Sequence, residues 1–151
     1  MSCALDGTVA VWDVHRRRVV AQDKHVVPPG AVANPPLAHC VDVSRDGQLV
    51  ATALGDGTVA VSEWRRHLRR AAVLRAHAAP TSAVCFLRGV GGDRLVSGSV
   101  DESVALWSVR GKLQHRWERL GKVNWIAAHP ANDVFFVASS QPVVHAFTLR
   151  R

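Results

Sequence analysis

His77, Ser97 and Asp101 are the side-chain types that acyl-transfer chemistry uses. A serine hydrolase needs a histidine to take the hydroxyl proton and an acid to orient that histidine. It also needs backbone donors for the developing oxyanion. No nucleophile elbow or oxyanion loop surrounds Ser97 in Leu95-Val96-Ser97-Gly98-Ser99. Metal chemistry has no better footing. Cys3, Cys40 and Cys85 are far apart, odd in number and form no Cys-x-x-Cys pair. That argues against a disulfide framework or a zinc knuckle and fits a reducing compartment. No phosphate-cradling glycine loop and no pair of acids at useful spacing is found. The expectation is a protein that is not an enzyme and takes neither cofactor nor metal.

The remaining candidates are basic. The chain carries a net charge of +7, and sixteen of its nineteen Lys and Arg residues are Arg. Two runs stand out, His15-Arg16-Arg17-Arg18 and Arg65-Arg66-His67-Leu68-Arg69-Arg70. Arg16, Arg65, Arg66, Arg69 and Arg70 are therefore candidates for phosphate or an acidic protein surface. Basic runs imply nucleic acid only on a groove-reading fold, and no aromatic residues spaced for base stacking accompany them. Both runs read first as solvated loops, and nucleic acid is not the expected partner. No apolar run approaches the roughly 18 residues of a helical membrane span, so no membrane partner is expected. No basic leader followed by an apolar stretch opens the chain at Met1-Ser2-Cys3-Ala4-Leu5-Asp6, and the expected location is intracellular, cytoplasmic and/or nuclear.

The elements that must hold these residues repeat along the chain. Leu5-Asp6-Gly7-Thr8-Val9-Ala10-Val11-Trp12-Asp13 recurs as Gly55-Asp56-Gly57-Thr58-Val59-Ala60-Val61-Ser62-Glu63. It recurs again as Val100-Asp101-Glu102-Ser103-Val104-Ala105-Leu106-Trp107-Ser108, and in worn form as Ser140-Gln141-Pro142-Val143-Val144-His145-Ala146-Phe147. Copies 40 to 50 residues apart, each a turn followed by alternating β-formers, predict repeated small antiparallel sheets. The Asp-Gly turns between alternating runs are hairpin signals, and Pro and Gly in every gap leave helix little room. Trp12 and Trp107 are expected in the core of their sheets, and Trp64, Trp117 and Trp125 in core or edge packing.

At these residues the chain resembles the WD-repeat β-propeller family, whose blades carry Gly-His and Trp-Asp dipeptides. Trp12-Asp13 is the literal dipeptide, Ala76-His77 stands at the Gly-His place and Trp107-Ser108 at the Trp-Asp place. The resemblance covers essentially the whole chain. It implies an all-β fold of four-stranded antiparallel blades. It also implies a buried hydrogen-bond network in each blade, joining a loop His, a strand Ser or Thr, the turn Asp and a strand Trp. The matching set is His77, Ser97, Asp101 and Trp107, which gives the triad-like residues a structural role. The second copy keeps Thr52 and Asp56, has Ser62 in the Trp place, and takes His25 rather than His39 as its His. The first keeps Ser2, Asp6 and Trp12. The last has Val137, Gln141 and Phe147, so its network is expected to be lost.

Within the family, Asn34-Pro35-Pro36-Leu37-Ala38-His39, Val84-Cys85-Phe86-Leu87 and Gly121-Lys122-Val123-Asn124-Trp125-Ile126 resemble segments of the WD repeat-containing protein 53 group. That resemblance implies a noncatalytic scaffold for other proteins and a candidate substrate receptor of cullin-4 ubiquitin ligases. Such receptors meet the ligase adaptor through Trp-Asp-x-Arg. Arg110 stands at the right offset after Trp107, with Ser108 replacing the Asp, while Trp12-Asp13 has its Arg16 one place late. The alternative is an Arg-rich surface that binds nucleic acid or acidic protein segments. Recognition is expected at residues 55–57, 79–82 and 100–102 and the Pro-rich insertion, because loops on a rigid scaffold carry recognition.

The expected organisation is a single partial propeller domain over 1–151, with blades near 1–25, 38–77, 81–118 and 122–151 and a Pro-rich insertion at 26–37. About three to three and a half blades fall short of the four to eight of a closed propeller, so a missing N-terminal propeller half is expected.

Overall fold

The computed structural model describes residues 1–26, 35–89 and 94–149. They form fourteen strands in four antiparallel sheets, with one 3-10 turn at Trp64–Arg66 and no α-helix among the described residues. Sheet I runs β1 (Ser2–Cys3), β2 (Thr8–Asp13), β3 (Arg18–Lys24). Sheet II runs β4 (Ala38–Val43), β5 (Leu49–Leu54), β6 (Thr58–Glu63), β7 (Arg69–Arg75). Sheet III runs β8 (Thr81–Leu87), β9 (Arg94–Ser99), β10 (Val104–Ser108), β11 (Leu113–Trp117). Sheet IV has β12 (Val123–Ala128), β13 (Val134–Ser139) and β14 (Val144–Thr148). Strand order in every sheet follows chain order. The insertion falls largely at 27–34, outside the described residues.

Three of the repeated turns work through one carboxylate each. Asp6 Oδ1 accepts the Thr8 amide at 2.9 Å, and Asp56 Oδ1 accepts the Thr58 amide at 3.0 Å and its hydroxyl at 2.6 Å. The following residue turns left-handed, and Gly57 does so at φ +83°. A Cβ there would also stand 2.8 Å from the His77 carbonyl, so only glycine fits. The third copy has Glu102 in this conformation at φ 68°, a backbone cost of about 1 kcal/mol that the carboxylate of Asp101 offsets by taking the Ser103 amide and hydroxyl.

The core lies between sheets, and the alternation of each strand sends one set of side chains forward and the other back. Between II and III, Ala51, Val59, Val61 and Leu74 meet Phe86, Leu95 and Trp107. Between III and IV, Val96, Val104 and Leu106 meet Ile126, Phe135, Val137 and Phe147. Between I and II, Val9 and Val11 meet Ala60 and Val50. Burying a Val, Leu or Phe side chain of this kind contributes about 1.5–3 kcal/mol. Gly98 lets sheet IV approach: a Cβ there would sit 2.5 Å from Val123 Cγ1 and 2.9 Å from Ile126 Cδ1.

The first strands of neighbouring sheets run side by side, and side chains cross to their free edges. The Cys40 thiol donates to the Val84 carbonyl at 3.6 Å. Asp42 Oδ2 accepts the Phe86 amide at 2.7 Å, and the Ser82 hydroxyl donates to the Val123 carbonyl at 2.5 Å. Edge groups that no strand pairs are thereby satisfied between sheets.

Candidate functional site

Sheet III brings His77, Ser97, Asp101 and Trp107 together in one buried chain of hydrogen bonds. The Trp107 indole N–H donates to Ser97 Oγ at 2.9 Å, and Ser97 Oγ lies 2.8 Å from His77 Nε2. His77 Nδ1 lies 2.8 Å from Ser103 Oγ, whose hydroxyl donates to Asp101 Oδ1 at 2.6 Å. Directions follow from the two ends. Ser103 gives its proton to the carboxylate, so it accepts from His77 Nδ1–H, and Ser97 gives its own proton to Nε2. Only a neutral His77 completes that chain. Burial holds its pKa below 6.5 despite the opposing pull of Asp101. Burial works to raise the Asp101 pKa, and its bonds from Ser103, Ala78 and the Ser103 amide, with His77, outweigh that and hold it below 3.8.

The geometry departs from the simplest expectation in one respect. Histidine and aspartate do not bond directly: Nδ1 and Oδ1 are 3.5 Å apart, with Ser103 between them. Asp101 Oδ2 instead takes the Ala78 amide at 2.8 Å and faces Arg116 at 3.5 Å. Ser97 is fully buried and already bonded on both sides, so no substrate carbonyl can reach it.

Sheets I and II keep parts of this arrangement. In sheet I, Trp12 Nε1 donates to Ser2 Oγ at 2.8 Å, but Trp12 is 50% exposed, against the expectation of a core residue. The reason is that no described sheet covers its face, whereas Trp107 lies against sheet II and is 3% exposed. Trp125, expected in core or edge packing, is 60% exposed for the corresponding reason on sheet IV. In sheet II, His25 is buried near Asp56, Thr52 is buried, and Ser62 stands where sheet III has tryptophan. Arg70, opposite Ser62 in the register, donates to His25 Nδ1 at 2.8 Å. Burial, then the Arg70 charge, push the His25 pKa below 6.5. In sheet IV, Gln141 reaches His145 Nε2 and the Arg119 carbonyl, both at 3.3 Å.

The arginines do not form one patch. Arg16 pairs with Asp13 at 3.8 Å on the β2–β3 turn. Arg65 lies over the Trp64 ring at 5.5 Å, while Arg69 and Arg70 open the outer strand β7. The second run is thus a 3-10 turn and a strand start rather than a loop, pinned by buried Leu68. The Arg66 side chain lies outside the described residues. Arg110 is exposed on the turn between β10 and β11. Among the loops expected to carry recognition, that at 79–82 is tied down: Ser99 Oγ donates to the Ala79 and Pro80 carbonyls at 3.0 and 2.9 Å.

Two polar features escaped sequence reasoning. Asp42 sits in Ala38-His39-Cys40-Val41-Asp42-Val43, where a lone acid in an apolar strand was the available signal. Arg94 and Asp133 make a largely buried ion pair at 2.8 Å. A pocket of about 250 Å³ opens along β4, β8 and β12, lined by Asp42, Cys85, Arg88, Trp125 and Pro130 among others. Burial pushes the Cys85 thiol up to about 12, which removes it as a nucleophile. Among the described residues no group of three or more His, Cys, Asp or Glu could hold a metal ion.

Comparison with known proteins joins these observations. The WD40 family (WD domain, G-beta repeat) matches residues 34–61. WD repeat-containing protein 70 of Xenopus laevis is 29% identical over 114 residues, 73% of this chain and 18% of that protein. Its Xenopus tropicalis counterpart is 27% identical over the same shares. The chain therefore spans about a fifth of the length of the curated relatives it matches. Among solved structures, that of U3-55K superposes with a TM-score of 0.83 at 20% identity, covering 97% of this chain and 44% of that one. The RRP9 WD40 repeats superpose with a TM-score of 0.77 at 20% identity, covering 97% and 46%.

The four sheets have the fold of propeller blades, as in the RRP9 WD40 repeats on which they superpose. The blade of sheet III holds the fullest hydrogen-bond network, those of I and II hold partial versions, and in sheet IV Val137 and Phe147 stand at the serine and tryptophan places with no polar side-chain atom. The relatives named are protein 70 sequences rather than the protein 53 group suggested by the short segments. The matched region, 34–61, begins at the end of the insertion and ends within β6 of the second blade.

Proposed function

We propose that the chain is a noncatalytic protein-interaction scaffold of the WD-repeat class. The observation that carries this reading is the consumption of the Ser-His-Asp chemistry inside the third blade: Ser97 is buried, the side chains of His77 and Asp101 are almost wholly covered, and all three are bonded to blade structure. What faces solvent is a rigid frame with ordered turns, which suits recognition rather than turnover. Within this reading, placement in the protein 53 group makes Arg110 the residue for a cullin-4 adaptor. Its guanidinium is exposed on the β10–β11 turn, where it could fork onto carboxylates or carbonyls. Binding of purified adaptor to the wild-type chain, weakened by Arg110→Ala, is the expected result. No adaptor binding, or equal binding by both proteins, overturns the adaptor role.

A second reading has its own support. Arg69, Arg70 and Arg75 lie exposed along the outer strand β7, with Arg65 just before it. This edge offers backbone groups and positive charge together, which suits an acidic extended segment. Binding to an acidic peptide that falls steeply with salt and is reduced by Arg69→Ala would support it. Salt-independent or undetectable binding would remove it.

A further inference from the structure

In sheet III a tryptophan closes the histidine network, whereas sheet II has Ser62 in that place. Across the register from Ser62, Arg70 turns its guanidinium to His25 instead, Nη2 donating to Nδ1 at 2.8 Å. Nδ1 is therefore an acceptor, and the ring proton sits on Nε2. His25 is only 6% exposed, yet among the described residues no group accepts from Nε2. A pocket of about 110 Å³ opens at this ring, lined by Arg70, Val73 and Arg75 of β7 together with Leu54, Asp56 and Ala60. Asp56 spends its Oδ1 on the Thr58 amide and hydroxyl. The pocket lies where the end of β3 meets sheet II, and Ala60 in its wall packs on Val9 of sheet I. It is thus bounded by two sheets that are both present. β7 ends the strand order of sheet II, and among the described residues no strand pairs its outer edge.

We propose that this pocket anchors one carboxylate side chain, Asp or Glu, of an extended segment of a partner protein that lies along β7. The proposal rests on the reading of β7 as an edge for an acidic segment, and it names the residue type that the edge selects. Charge decides the ligand. Two guanidinium groups, a neutral His25 and the carboxylate of Asp56 leave the pocket a net charge of about +1, which one carboxylate cancels. A phosphate monoester brings about two negative charges and would overfill it beside Asp56. The donors are the Nε2–H of His25, the N–H groups that Arg70 has left after His25, and Arg75. The backbone decides the approach. A strand added at the free edge of β7 sets alternate side chains on the face of Val73, and the residue beside Val73 then stands between Arg70 and Arg75. The segment 27–34, next in the chain after Val26, contains no Asp or Glu and does not supply the carboxylate.

The test is an NMR titration of the isotope-labelled 151-residue chain, at low salt, with Thr- and Ser-rich peptides of about eight residues. One peptide carries a single central Glu, a second carries Gln there, and a third carries phosphoserine. The expected result is saturable binding of the Glu peptide that shifts the β7 amides and the His25 Nε2 resonance. The Gln and phosphoserine peptides should each bind at least about tenfold more weakly. Arg75→Gln and His25→Phe should weaken the Glu peptide by a similar factor, while Lys122→Ala, exposed on sheet IV, should leave it unchanged. Arg75 is exposed, so Arg75→Gln keeps the test valid if His25→Phe fails to fold. Equal binding of Glu and Gln peptides, a tighter phosphoserine peptide, or a Glu peptide indifferent to both variants overturns the pocket. If a Glu-rich peptide still binds with steep salt dependence and needs Arg69, the edge reading survives that loss. Absence of binding by every acidic peptide overturns both.

Discussion

The Trp107 indole donates to Ser97 Oγ at 2.9 Å inside a closed interface, whereas Trp12 makes the same bond to Ser2 at 2.8 Å on an open face. The local bond is the same and the packing differs. Trp107→Ala is therefore expected to destabilise the chain by about 3–5 kcal/mol, the range for a buried large aromatic. Trp12→Ala should cost much less in dilute solution. Urea unfolding midpoints of the two variants check this, and equal losses would contradict it.

Asp101 collects four contacts: the Ser103 amide and hydroxyl, the Ala78 amide and the Arg116 guanidinium. Asp101→Ala leaves those donors without their acceptor and removes the end of the His77 chain. A loss of about 2–4 kcal/mol is expected, which lowers the melting temperature by about 5–15 °C in a chain of this size. An unchanged melting temperature would refute the structural role.

Acid should act through histidine first. His77 and His25 are held below 6.5 in the folded chain, so the unfolded chain takes up protons at higher pH than the folded one. The stability these neutral histidines retain is full above that value and declines as pH falls below it. Asp101, held below 3.8, adds a second decline as pH falls through its folded value. Melting curves from about pH 8 to pH 5 should show the first fall, reduced in His77→Gln relative to its own neutral-pH stability. A flat profile across that window would count against the neutral His77 chain.

Asp42 ties the second blade to the third through the Phe86 amide at 2.7 Å. Asp42→Ala exposes an edge N–H that no strand pairs and should cost about 1–3 kcal/mol. The specific signature is faster hydrogen exchange at Phe86, with the β8–β9 amides slower to respond. Unchanged exchange at Phe86 would show that the carboxylate does not hold that edge.

Much of this molecule is legible before it folds. The Asp-Gly turns, the alternation of Thr58-Val59-Ala60-Val61-Ser62 and the recurrence of both every 40 to 50 residues mark the hairpins of each sheet. Those signals are local. A carboxylate reaches the amide two residues on, and a strand's period is visible in five residues. His77, Ser97, Asp101 and Trp107 were traceable through the resemblance of their repeat to the WD-repeat pattern.

Other features had no local signal. Arg70 meets His25 across 45 positions, and the signature available was only the Ser62 that stands in for a tryptophan. Ser103 stands between His77 and Asp101 because the β7–β8 loop meets the β9–β10 turn there, a contact across 26 positions that spacing alone does not place.

The sequence by itself determined the repeating unit and its turns, because those depend on neighbours a few residues away. Only the tertiary structure decided which face of each sheet is covered. Trp12 and Trp107 occupy the same place in the repeat, and burial depends on whether another sheet lies alongside, a matter of contacts distant in the chain.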